Sequence, residues 1–190
     1  MPHISYSELK NWHHCPFYHK LVNIEKLKVF EGNEYTAFGT ALHSVCEDLL
    51  TDEVDIPQPE LFTQKFRDEI KKLKSEELNK KLIVDMFAQG GKLSEQVLPS
   101  LEKYFDDCEV FMAEEKLYEP ISGADDYLFK GYVDLIVKEG DNYHIIDWKT
   151  CSWGWDSRKR SDKMILYQLV LYKHFFCQKY DISPNMVHTH

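Results

Sequence analysis

Two apolar runs in the second half of the chain each carry a single acidic residue, which strongly limits where they can lie in a fold. The first run is Gly131–Val137, with Asp134 at its centre, and the second is His144–Thr150, in which Asp147 is followed by Lys149. Buried strands rarely hold charges without a use for them. Because side chains alternate along a strand, we expect Asp147 and Lys149 to share a face, which Asp134 reaches if the runs pair as a hairpin.

Two carboxylates and an ammonium group at one point on a sheet predict a particular chemistry. Carboxylate oxygens are the ligands that hard divalent cations such as Mg²⁺ and Mn²⁺ prefer. A cation held there polarises a water molecule, and a neighbouring lysine can orient that water and offset charge in the transition state. The residues therefore predict metal-dependent phosphodiester hydrolysis, with Asp134 and Asp147 as metal ligands and Lys149 as the catalytic lysine.

The order of motifs along the chain carries a family resemblance. Asp134 lies 13 residues before an Asp-x-Lys step, which resembles the PD-(D/E)XK nuclease superfamily. Further features, in the family's order, make the chain similar to the RecB-like exonuclease branch over roughly residues 5 to 172. They are Ser5-Tyr6-Ser7-x-Leu9 leading to Cys15-Pro16, Phe38-Gly39-Thr40-Ala41-Leu42-His43, an acid at Glu114 or Glu115, and Gln168-x-x-x-Tyr172.

The resemblance implies roles for individual residues. In RecB-like nucleases the residue matching His43 is a metal ligand, and the main-chain carbonyl of the residue matching Trp148 completes the ligand set. Gln168 and Tyr172, one helical turn apart, would face the active site and position DNA or the catalytic lysine. These roles would make the site a Mg²⁺ or Mn²⁺ centre that acts on DNA.

The upstream acid has two candidates, and we assign it to Glu115. The step Glu115-Lys116-Leu117 is similar to the family's Glu-x-apolar pattern. Strand alternation also groups Glu115 with Phe111 and Leu117 on one face. Glu114 is the alternative.

Charge argues against a general nucleic-acid coat but leaves room for a local DNA contact. The net charge of −9 opposes non-specific binding to a polyanion. A basic strip nevertheless follows the second acidic run, and two tryptophans beside it have the chemistry to stack on unpaired bases. The DNA-binding candidates are Trp153, Trp155, Arg158, Lys159 and Arg160.

Hydrophobic periodicity predicts helices first, then three strands, then a helix. We expect one α/β (α+β) domain over residues 1–190, a small mixed sheet flanked by helices, with a helical part to about 108 and the catalytic sheet and final helix from about 109. Ser5 fits a helix N-cap, and Gly90-Gly91 is expected to end a helix. The last residues resemble the start of a further strand, so we expect a truncated or unusually short member. The predicted strands are 110–118, 127–137 and 143–150, and the predicted final helix runs from Ser161 or Asp162 to about Tyr180.

Cysteine usage and the N-terminus bear on cofactors and compartment. Some RecB-like nucleases hold an iron–sulfur cluster on one cysteine near the N-terminus and three near the C-terminus. Cys15 matches the first position, but after Cys151 there is only Cys177, so we expect no cluster. There is no Walker A pattern, so unwinding would need a separate helicase or recombination protein. The chain shows no export signal and no membrane-spanning run, which favours the cytoplasm of a bacterium or of a phage-infected host.

Two rival functions remain open on sequence grounds. One is a DNA-binding or complex-assembly module of the same fold whose nuclease site is vestigial, against which the intact acids and lysine argue. The other is a metal phosphohydrolase that acts on small phosphates, although the chain has no His-Asp doublet.

Overall fold

A mixed sheet is built around one long strand. The computed structural model describes residues 1–27, 31–51, 54–74, 78–105, 107–151, 154 and 156–190, without the side chains of Arg158 and Arg160. In these ranges the strands are β1 (His3–Ser5), β2 (Glu109–Pro120), β3 (Leu128–Glu139), β4 (Asn142–Ile146) and β5 (Val187–Thr189). β2 and β4 pair with β3 in antiparallel fashion, whereas β1 runs parallel to β3 and β5 runs parallel to β4.

The pairing of β3 leaves a short gap along one of its edges. β2 covers the other edge from Leu128 to Lys138, so β1 and β4 must share the remaining one. The pairs with β1 end at Lys130, and those with β4 begin at Leu135. Asp134 therefore lies on β3 between the stretch that pairs with β1 and the stretch that pairs with β4.

Short helical segments and one long helix, which packs on the sheet, accompany these strands. They are α1 (Tyr6–His14), α2 (Pro16–His19), a π-helical turn (Lys20–Ile24), α7 (Ser157–Arg160) and α8 (Lys163–Tyr180). The predicted N-cap is confirmed, since Ser5 Oγ accepts a hydrogen bond of 3.2 Å from the Glu8 backbone N–H. Asp162, one of the two predicted caps of the final helix, accepts from the Met164 N–H at 2.8 Å.

Aromatic packing joins α8 to the sheet. The rings of Phe129 on β3 and Phe175 on α8 stack with centroids 4.1 Å apart. Phe176 is fully buried among residues from the sheet, which include Leu117, Ile136 and Ile145. Burying large aromatic and branched side chains in this way supplies most of the driving force for a layer of helix on sheet.

A second compact unit is helical. It contains α3 (Glu34–Thr51), α4 (Gln58–Lys71), α5 (Lys80–Ser94) and α6 (Val97–Tyr104), together with the segment Trp148–Thr150. Its core is a cluster of aromatic rings in which Phe62 and Phe66, both fully buried, stack at 5.4 Å and Phe38 meets each of them edge-on. The first 27 residues group with the sheet in the other compact unit.

Two predicted element ends differ from the structure. The helix expected to end at Gly90-Gly91 continues to Ser94. Gly90 lies inside this helix where no side chain fits, since a β-carbon there would lie 2.0 Å from the ring of Phe62. The strand expected over 143–150 ends at Ile146, so the alternation argument does not extend to Lys149. The predicted C-terminal strand is confirmed as β5, and the α/β fold with a mixed sheet is confirmed. No helix in the described part of the chain is long and apolar enough to span a membrane.

Candidate active site

The strand register brings the two predicted aspartates together. Leu135 of β3 pairs with Ile146 of β4. Continuing that register by one step places Asp134 opposite Asp147, and residues directly opposite in an antiparallel pair have β-carbons about 4.5–5.5 Å apart. The Asp147 N–H donates to the carbonyl of His190 at 3.2 Å, which continues the pairing of β4 with β5. Both aspartates lie near Tyr172, since the charge of each raises the pKa of its hydroxyl.

Glu114 extends this pair into a row across three strands. The pairs Ala113–Leu135 and Glu115–Val133 bracket Glu114 and put it across from Asp134. Glu114 has a φ of 48°, a left-handed conformation that non-glycine residues seldom adopt, so the strand is locally irregular at this residue. The acid row is defined here as Glu114, Asp134 and Asp147.

Gln168 and Tyr172 on α8 lie beside the acid row. The Gln168 side-chain amide lies 3.0 Å from Asp147 Oδ1, to which it donates, and 3.0 Å from the Tyr172 hydroxyl. Both side chains are buried. Burial raises the pKa of Tyr172 to about 12, against the lowering effect of the Gln168 hydrogen bond, and the negative charges of all three acids add to the increase. The phenol is therefore a neutral group beside clustered carboxylates.

Glu115, the preferred upstream acid, lies at a different contact. Its carboxylate binds the Lys179 ammonium and accepts a hydrogen bond of 2.7 Å from the Tyr180 hydroxyl. Burial raises the pKa of Tyr180, and the hydrogen bond to Glu115 raises it further. Glu115 shares a strand face with Phe111 and Leu117, which also pack towards α8. On that face, however, Glu115 meets the C-terminal half of the helix.

Sequence reasoning did not assign the parts played by Tyr6 and Gly131. The Tyr6 hydroxyl donates to the Met164 carbonyl at 2.6 Å, and its pKa is raised by burial and then by the charges of Asp162 and Asp147. At Gly131 a β-carbon would lie 2.9 Å from a ring carbon of Tyr172. The available signals were Tyr6 within the N-terminal motif and Gly131 within the strand, where a glycine often marks a close approach.

The remaining predicted site residues, His43, Trp148 and Lys149, belong to the helical unit. Trp148 and Lys149 lie outside regular structure, and Lys149 is exposed. His43 is half-buried on α3. A β-carbon at Gly39 would lie 3.3 Å from Thr150 Oγ1, so the segment after the Asp-x-Lys step packs on the glycine of the Phe-Gly-Thr-Ala-Leu-His motif.

The predicted DNA contacts are only partly described by the structure. Lys159 lies on α7, and its N–H donates to the capping Asp156 side chain at 2.9 Å. Arg158 and Arg160 are on the same helix, but their side chains lie outside the described residues, as do Trp153 and Trp155 entirely.

The family model of the PD-(D/E)XK nuclease superfamily matches residues 3–185 of the chain. The chain belongs to this superfamily. The match covers the sheet, α8 and the helical unit. The proteins of this superfamily are nucleases, which hydrolyse nucleic acids. No curated protein matches the sequence significantly.

The superfamily uses divalent metals, and the acid row supplies suitable oxygen donors. Within the described residues, no three His, Cys, Asp or Glu side chains already converge on one point as a metal site. Mg²⁺, however, usually keeps several waters and binds through one or two carboxylates plus substrate phosphate. Asp134 and Asp147, opposite each other, fit that pattern. Neighbouring carboxylates also repel, and a cation between them relieves the repulsion.

Proposed function

We propose that the protein is a metal-dependent deoxyribonuclease of the RecB-like type, acting as a DNA exonuclease in recombination, repair or phage DNA processing. The observation that carries this proposal is the acid row, with Asp134 opposite Asp147 and Gln168 bonded to Asp147 at 3.0 Å. The order of motifs from Ser5 to Tyr172 supports the RecB-like branch within the superfamily.

Asp134 and Asp147 would hold Mg²⁺ or Mn²⁺, with the Trp148 carbonyl and His43 as further ligands by the family pattern. The cation would polarise the attacking water and a phosphate oxygen. Gln168 donates to Asp147 Oδ1 and so orients the carboxylate, as partners behind metal ligands commonly do. Lys149 would orient the water and offset charge on the phosphate as the bond breaks.

Glu114, and not Glu115, is the upstream acid in this proposal. Two observations support it: its register position across from Asp134, and its effect on the pKa of Tyr172 alongside Asp134 and Asp147. The ion pair with Lys179 gives Glu115 a structural role.

DNA would be held near the site by the basic segment Arg158-Lys159-Arg160, with Trp153 and Trp155 stacking on unpaired bases. An unwinding partner, a helicase or recombination protein, would act as a separate polypeptide. We place the reaction in the cytoplasm of a bacterium or an infected host.

A digest of end-labelled linear DNA, single- and double-stranded, with closed circular DNA beside it, tests the proposal. The reactions contain Mg²⁺, Mn²⁺ or EDTA, and Asp147→Asn serves as the inactive control. Metal-dependent loss of the linear DNA, with the circle intact, is the expected result, and the label position gives the polarity. Cutting of the circle would replace the exonuclease by an endonuclease. An absence of cutting with every metal would favour the binding-module alternative.

A further inference from the structure

Three of the nine histidines lie together on β4 and at the end of β5. His144 pairs with His188 in the parallel register, and His190 follows two residues later on the same face. The His144 ring lies 5.1 Å from that of His188 and 5.2 Å from that of His190, measured between centroids. His144 Nδ1 and His190 Nε2 are 3.0 Å apart and share a hydrogen bond. The nuclease chemistry proposed above uses none of these side chains.

Two imidazole nitrogens at this separation can bind one metal ion. Zinc–nitrogen bonds are about 2.0–2.1 Å long, so nitrogens 3.0 Å apart meet at one ion with an angle of about 95°. A small ring rotation would open that angle towards the tetrahedral value. Imidazole nitrogen favours Zn²⁺, Ni²⁺ and Cu²⁺, whereas Mg²⁺ prefers oxygen. Such a site would therefore select a different ion from the carboxylate site.

The other nitrogen of His144 faces a carboxylate. Glu139 Oε2 lies 3.6 Å from His144 Nε2. A ligating histidine almost always has an acceptor behind its second nitrogen, which orients the ring and sets the tautomer, and Glu139 would take that role once a metal is bound.

We propose that His144 Nδ1 and His190 Nε2 form a chelating site for a borderline transition-metal ion such as Zn²⁺. In the described part of the chain, no three ligand side chains already converge. Water, or His188 after a ring rotation, would fill the other positions. The His190 carbonyl accepts from the Asp147 N–H at 3.2 Å, so an ion bound there would fasten the strand that supports Asp147.

Calorimetric titration of the full chain with ZnCl₂ tests this site, in the presence of excess Mg²⁺ to occupy the carboxylates. We compare the wild type with His144→Asn, His190→Asn and Glu139→Gln, and use His174→Asn as the matched control, since His174 is an exposed histidine on α8. Zinc is expected to bind wild type and the control equally. Each cluster variant should bind at least about tenfold more weakly.

Thermal unfolding with and without zinc provides the second measurement. Zinc should raise the Tm of the wild type and of His174→Asn, but not that of His190→Asn, whose change at the end of β5 leaves the core intact. The proposal is overturned if the wild type binds no zinc, or if the affinity is unchanged in either His144→Asn or His190→Asn. In the second case the histidines are only a hydrogen-bonded pair.

Discussion

The two halves of α8 meet the acids of the sheet in different ways. The C-terminal half gives Glu115 the ammonium of Lys179 and the hydroxyl of Tyr180. The N-terminal half gives Asp147 the neutral amide of Gln168, next to the phenol of Tyr172. One helix thus carries a salt bridge near one end and an orienting amide near the other.

The difference teaches how two acids of the same sheet region can have separate tasks. A cation within the chain neutralises a carboxylate permanently, and removing one partner of such a pair costs stability. A neutral amide orients a carboxylate without cancelling its charge, which suits a ligand for a metal ion that arrives from solution. We therefore expect substitutions at the N-terminal half to lower catalysis and those at the C-terminal half to lower stability.

The largest expected effect follows from removing the central acid or the lysine. Asp147→Ala or Lys149→Ala should reduce single-turnover cleavage with Mg²⁺ by about 10³-fold or more, because each removes charge stabilisation at the phosphate. The fold should remain intact, as shown by an unchanged circular dichroism spectrum and cooperative unfolding. Full activity in either variant would remove the nuclease assignment for this site.

Gln168→Leu should lower the cleavage rate by about 10–100-fold, since Asp147 loses the amide that orients it. Gln178→Leu is the matched control on the same helix, because that amide donates to the Pro120 carbonyl at 3.0 Å, in an exposed contact. Single-turnover rates of the two variants should separate clearly. Equal rates would mean that the Gln168–Asp147 contact has no catalytic value.

Gly131→Ala tests the packing behind the acid row. The new β-carbon would lie 2.9 Å from ring carbons of both Phe129 and Tyr172, so the free energy of unfolding should fall by about 1–3 kcal/mol. Gly91→Ala, whose β-carbon meets only Pro59 at 3.4 Å, should be neutral or slightly stabilising in its helix. Urea denaturation of both variants measures the contrast, and a neutral Gly131→Ala would contradict the described approach of Tyr172.

The high pKa of Tyr172 predicts a stability change at alkaline pH. The phenol titrates near 10 when unfolded and near 12 when folded, so the folded state holds its proton more tightly. This contribution is complete below pH 10 and is lost as the pH rises to 12, at about 1.4 kcal/mol per pH unit. Tyr172→Phe should flatten the slope of unfolding free energy against pH, leaving the parts due to Tyr6 and Tyr180. An unchanged slope would show that Tyr172 does not titrate as described.

The residues that sequence reasoning placed well are those whose position depends on spacing. Asp134 and Asp147 are equidistant from the turn of a hairpin, so their opposition follows from register alone. Gln168 and Tyr172, four residues apart on a helix, necessarily share a face.

What sequence reasoning could not supply depends on tertiary contacts. Alternation gave no reason to expect a φ of 48° at Glu114, which breaks the simple two-face pattern of the strand. The identity of the helix segment that meets Glu115 was equally hidden, because Lys179 is distant in sequence. In the sequence, Gly90 resembled a helix end. Its place inside a helix is explained only by the ring of Phe62, which belongs to another helix.

The central claim is that Glu114, and not Glu115, acts with Asp134 and Asp147 in hydrolysis. The most direct test compares single-turnover cleavage and urea unfolding of Glu114→Gln and Glu115→Gln. We predict that Glu114→Gln loses about 10²-fold or more in cleavage with little change in stability. Glu115→Gln should cleave close to the wild-type rate while losing about 1–3 kcal/mol of unfolding free energy. The reverse pattern, with cleavage lost in Glu115→Gln and retained in Glu114→Gln, would contradict the account.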